Sequence, residues 1–128
     1  MVIDGNLEAQ PNNLNSPYPI TRSGFAKITF LVAAKPDIDF AALFDHWLQV
    51  HIPNVRETMH KVGGTRYVVS HSLQPEEEAF AGMAELYFPT FDGWRDYKAN
   101  IKDDGMGQWV ADEGTHILRA HTEMVGIP

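Results

Sequence analysis

Six histidines and four tyrosines lie in a chain of 128 residues that has no cysteine. Without cysteine there are no disulfides, thiolate ligands or thiol nucleophiles. Chemistry therefore falls to imidazole, phenol and carboxylate. His51 stands first among the candidates. It ends a stripe of Phe40, Leu43, Phe44, Trp47, Leu48 and His51, spaced as one face of a helix, two residues before Pro53. An imidazole on an apolar stripe must find a hydrogen bond or cost about a few kcal/mol. It can serve as a general base, as a donor to a bound carbonyl, or as a structural tie between helix end and strand. The aromatic members of the stripe are core residues first. Trp47, next to His51 on that face, is also a candidate substrate contact.

Tyr67 and His71 share one parity of a strand, and so do Glu85 and Tyr87. In a dimer of two facing sheets, one parity of each strand is expected to line the space between the sheets, a ligand cavity with a few convergent polar groups. Tyr67 and His71 would assist His51 in proton transfer, while Glu85 and Tyr87 would contact substrate. An unpaired buried carboxylate is costly, so Glu85 either sits at a rim or pairs across strands with Arg66 or Arg119. His46 lies off the stripe and reads as exposed. His60 and His116 read as surface, and His121 and Glu123 face cavity or solvent. No metal is expected: H-E-x-x-H is absent, and His46 and His51 are five apart, which an α-helix splays. His71 and His121 could meet across strands, but two ligands do not make a site. The phosphate-loop pattern G-x-x-x-x-G-K is also absent, and no cofactor is expected.

The elements that must hold these groups follow from periodicity. Residues 1–23 are rich in Pro and Asn and read as an extended or disordered arm, followed by one domain over 24–128. Lys27–Ala34 is a strand apolar on both parities, and Phe40–His51 is a helix that Pro53 breaks or kinks. Gly63-Gly64 marks a turn into a second strand, Thr65–Leu73. A third strand, Gly82–Phe88, precedes a helix over Phe91–Ile101; Met106, Trp109 and Val110 suit a short third helix before the last strand, Ile117–Val125. The order βαββαβ predicts an α+β ferredoxin-like fold, a four-stranded antiparallel sheet with both long helices on one face. Strands apolar on both sides need a second cover, and a symmetric partner sheet supplies it, so a homodimer is expected.

Composition narrows the partners. The net charge is −7, a poor match for nucleic acid or anionic lipid. No stretch approaches the ~20 apolar residues of a membrane span. The first residues show no basic segment or apolar run, so no signal peptide is expected and the location is expected to be cytoplasmic.

The segment Phe44-Asp45-His46-Trp47-Leu48-Gln49-Val50-His51-Ile52-Pro53 resembles the F-x-x-Y/W-x-x-x-H-x-P signature of the EthD family. Arg66-Tyr67-Val68 is similar to that family's second strand. Gly82-Met83-Ala84-Glu85-Leu86-Tyr87-Phe88 is similar to its third, and Asp112-Glu113 to its acidic pair before the last strand. The resemblance covers about residues 25 to 127 and implies a dimeric α/β barrel. The family is named for a protein required in bacterial ethyl tert-butyl ether degradation, beside an oxidising system. Related barrels include isomerases, cofactor-independent monooxygenases, polyketide cyclases and haem binders, and fold does not choose among them. Two functions follow as expectations. One is cofactor-independent acid/base chemistry (isomerisation, cyclisation or oxygenation) on a small apolar carbonyl, lactone or aromatic compound. The other is a non-catalytic accessory protein that binds a hydrophobic intermediate of an oxidative pathway.

Overall fold

A computed structural model describes residues 25–122. The expected arm over 1–23 and the end of the last strand, with Glu123 and Val125, lie outside them. Strands β1 (Phe25–Val32), β2 (Arg66–His71), β3 (Gly82–Phe88) and β4 (His116–Thr122) form one antiparallel sheet in the order β2-β3-β1-β4. Helices α1 (Phe40–His46), α2 (Ile52–Val62) and α3 (Phe91–Asn100) complete it, with a short 3₁₀ turn at Met106–Gln108. This is the α+β architecture that the element order predicts. No helix among the described residues is long and apolar enough to cross a membrane.

The register assigns the faces. Ile28 lies between Leu86 and Arg119, and Tyr67 lies opposite Leu86. Ala26, Ile28, Val32, Ala84, Leu86 and Phe88 therefore share the face that the helices bury, together with Leu43, Trp47, Trp94 and Tyr97. The edge of Trp94 meets Phe30 there, and Phe88 meets Tyr97. Lys27, Thr29, Leu31, Val68, Met83, Glu85, Tyr87 and Leu118 have the opposite parity. No helix among the described residues covers that face, and Leu118 on it is 60% exposed.

The helical segment departs from expectation in an instructive way. Asp39 caps α1 by accepting from the Ala42 N–H at 3.1 Å. The helix then neither stops nor breaks at Pro53. Residues Trp47–His51 form a π turn, in which the Ile52 N–H donates to the Trp47 carbonyl. Pro53 falls in the first turn of α2, where a missing N–H is tolerated. The extra residue rotates the following face by about 100°. Leu48, expected on the buried stripe, is consequently half exposed. The second helix runs on to Val62. Gly63 ends it at φ 78°, a left-handed position that glycine occupies without strain.

Candidate functional site

Asp104 organises the site, and sequence reasoning passed over it. It lies in the loop after α3. Its Oδ1 accepts from the Met106 N–H at 3.2 Å. Its Oδ2 meets His51 Nδ1 at 2.7 Å and accepts from Asn54 Nδ2 at 2.8 Å. Asn54 also donates to the Lys102 carbonyl at 2.8 Å, which fixes its amide. Partial burial pushes the Asp104 carboxyl up. The hydrogen bonds from Asn54, His51 and Met106, with the His51 charge, outweigh it and hold the group below the usual carboxylate range. An ionised Asp104 selects the His51 tautomer with the proton on Nδ1, which leaves the Nε2 lone pair for a proton acceptor role. The His51 side chain is 24% exposed.

The π turn explains a second arrangement. His46 and His51 are five residues apart, a spacing that a π turn aligns. His46 Nε2 lies 3.9 Å from Asp104 Oδ1, in ion-pair range but without a hydrogen bond. Its ring packs on Trp109 with centroids 4.7 Å apart. His46, expected to be exposed, is thus largely enclosed, and the two histidines address the two oxygens of one carboxylate.

Trp47 links this group to the sheet. Its ring centroid is 4.7 Å from that of His71 and 6.5 Å from that of His51. His71 also stacks on Phe44 at 4.3 Å, and burial lowers its pKa, which favours the neutral imidazole. Burial pushes the Tyr67 phenol up to about 12, with Trp47 acting in the opposite direction. Trp47 acts on the buried Tyr67 phenol as a hydrogen-bonding neighbour, although neither the Tyr67 hydroxyl nor the Trp47 indole N–H reaches full hydrogen-bond geometry, and His71 Nε2 is buried without a partner among the described residues. A buried imidazole nitrogen without a partner is uncommon in a protein interior, and His71 Nε2 suits a site that completes its hydrogen bonds with a ligand.

A cleft of about 500 Å³ opens between α2 and edge strand β2. Leu48, Ile52, Met59 and Val69 give it apolar walls, and Tyr67 and His71 lie on the same lining. His51 is not on that lining; its ring centroid lies 6.5 Å from that of Trp47. Of the six candidates, then, Trp47, His51, Tyr67 and His71 gather between helices and sheet. Glu85 and Tyr87 do not join them. The register puts both on the opposite face, so the one cavity expected to hold all of them is divided by the sheet. Glu85 is paired, but with Lys27 of the neighbouring strand rather than Arg66 or Arg119, and the Tyr87 hydroxyl donates to it at 3.4 Å. The hydrogen bond from Lys27 to Glu85 holds the Lys27 ammonium above its ordinary pKa despite partial burial. His121 packs against Phe91 on the helix side, far along the sheet from His71, which pairs with Gly82. Among the described residues no group of three or more His, Asp or Glu is placed to hold a metal.

Solved structures share the fold. A protein of the ethyl tert-butyl ether (EthD) family from Bacillus halodurans aligns with a TM-score of 0.57 and 20% identity, over 77% of this chain and 99% of its own. A dimeric ferredoxin-like protein of unknown function from Bacteroides fragilis aligns with a TM-score of 0.53 and 12% identity, over 79% of this chain and 99% of its own. No curated protein matches the sequence. The EthD domain model matches residues 35–117, well over half of the chain and every residue of the Asp104 site, so the chain belongs to the EthD family.

Proposed function

We propose that the protein performs cofactor-independent acid/base chemistry on a small apolar carbonyl, lactone or aromatic compound, with His51 as the proton acceptor. The observation that carries this reading is the 2.7 Å contact between His51 Nδ1 and Asp104, with the carboxylate held below its usual pKa. A carboxylate so placed orients the ring and stabilises the imidazolium formed when Nε2 takes a proton. Tyr67 and Trp47 hold buried donors that match the oxygen of an enolate-like intermediate. Burial favours the neutral form of the His71 imidazole at the same indole, and Trp47 supplies an apolar wall. Such chemistry suits isomerisation, cyclisation or oxygenation.

The assembly in this reading is a homodimer in which the two open sheet faces meet. Leu31, Val68, Met83 and Leu118 on that face support it, as does the dimeric state of the Bacteroides fragilis protein. Glu85 and Tyr87 would then line the space between sheets.

A second reading is an accessory protein that binds a hydrophobic intermediate without converting it. The absence of His51 from the cleft lining favours it. One experiment separates the two. Native mass spectrometry of freshly purified protein identifies the bound small molecule, which is then incubated with the wild type and with His51→Ala. Turnover by the wild type that the folded variant loses supports the base assignment. Turnover retained by the variant refutes it, and no turnover by either leaves the accessory reading standing.

A further inference from the structure

The charge of the cleft differs from that of the molecule. The chain carries −7 overall, yet the cleft lining includes Arg56, His60 and Arg66 and no Asp or Glu. A second hollow, beside the N-terminus of α1, has the reverse character. It is lined by Asp37, Asp39, Glu76 and Glu78 against Lys35. The positive lining is therefore a local property, placed where the apolar walls Ile52, Met59 and Val69 are.

Position within the lining selects the anchor. The C-terminal carbonyls of α2 carry partial negative charge near Gly63, an effect confined to the last turn. His60 lies in that turn. Arg56 lies a full turn further in, clear of those carbonyls, with no ion-pair partner among the described residues. A guanidinium next to an apolar wall is suited to a planar carboxylate.

We propose that the cleft takes an anionic apolar molecule, an aromatic or alicyclic carboxylate. Arg56 holds its carboxylate at the mouth, and its body lies over Ile52, Met59 and Val69. The far end of the ligand then reaches Tyr67 and His71 on the same lining, where His71 Nε2 is buried without a hydrogen-bond partner among the described residues. This assignment rests on the cleft being the binding site, and it narrows the substrate class proposed above to acids.

The test uses the full chain, uniformly labelled with nitrogen-15, and two probes of equal shape: a naphthalene carboxylate and the matching carboxamide. Amide chemical shifts are followed at neutral pH and low salt. The expected result is that the carboxylate moves the amides of cleft residues and binds about fivefold tighter than the carboxamide, the scale of one partly exposed ion pair. Arg56→Gln should erase that preference without weakening the carboxamide. The substitution is on an exposed helix position, and the variant's own spectrum checks its fold. Equal affinities in the wild type, or a preference that survives in Arg56→Gln, overturn the anion anchor while leaving the cleft intact. Failure of both probes to move any cleft amide overturns the cleft as the site together with its ligand class.

Discussion

Asp104→Asn is the substitution that probes the site most directly. The carboxylate receives three contacts, at 2.7 Å from His51, 2.8 Å from Asn54 and 3.2 Å from the Met106 N–H. An amide of the same shape keeps one acceptor oxygen and presents an NH₂ in place of the other. Placed at the Oδ2 position, the NH₂ confronts the Asn54 donor and forces His51 to move its proton to Nε2. Placed at the Oδ1 position, it confronts the Met106 N–H. Either way one donor is orphaned in a spot where the Asp104 side chain is only 10% exposed. A lost hydrogen bond to a charged group with its donor left unpaired costs about 2 kcal/mol. For a domain of this length that is roughly 6–12 °C in Tm, compared at equal protein concentration.

The pH dependence of that loss is the sharper assay. The folded-state pKa of Asp104 lies below its unfolded value. Its contribution is therefore complete above an unfolded carboxyl pKa of about 3.9 and disappears as pH falls through the lower folded value. Denaturation by urea should show a gap between wild type and Asp104→Asn at about pH 5 that closes in strong acid. In parallel, nitrogen-15 spectra of His51 at pH 8 should show the proton on Nδ1 in the wild type and a shifted tautomer balance in the variant. A gap equally wide at pH 3, or a wild-type His51 protonated on Nε2 at pH 8, would refute the claim that an ionised Asp104 orients this imidazole.

Two further outcomes are expected. A Cβ added at Gly82 would lie 2.7 Å from the Ser70 carbonyl oxygen and 2.9 Å from the Trp47 ring, so Gly82→Ala should cost about 1–3 kcal/mol. Gly107→Ala, where nothing lies within 4 Å, is the control and should stay within about 0.5 kcal/mol in thermal unfolding. Leu118→Glu puts a carboxylate on the open sheet face and should turn the proposed dimer into a monomer in sedimentation; an unchanged dimer would place the interface elsewhere.

Strand positions and fold class were legible because alternation and punctuation are local signals. Glycine, proline and capping residues such as Asp39 and Thr90 stand where elements turn or begin. The face assignment was not legible. Strands β1 and β3 are apolar on both parities, so alternation alone does not say whether Glu85 or Leu86 meets the helices. Only the register, which pairs Glu85 with Val68 and Leu86 with Tyr67, separates Tyr67 and His71 from Glu85 and Tyr87.

The site itself failed to show in sequence for a different reason, which bears on how it was assembled. Asp104 and His51 are 53 residues apart, and an Asp-Asp-Gly segment reads as a solvated loop. The two histidines that address this carboxylate are spaced for no regular α-helix. They converge because Pro53 follows the π turn instead of ending the helix, and a π turn aligns residues five apart. A π turn lacks the tight packing of an α-helix and is kept where tertiary contacts favour it. Here those contacts are Trp47, 1% exposed against Gly82, and Asp104 itself. The irregularity that hid the site from periodicity is thus the device that builds it: without the extra residue, His46 and His51 could not both face Asp104.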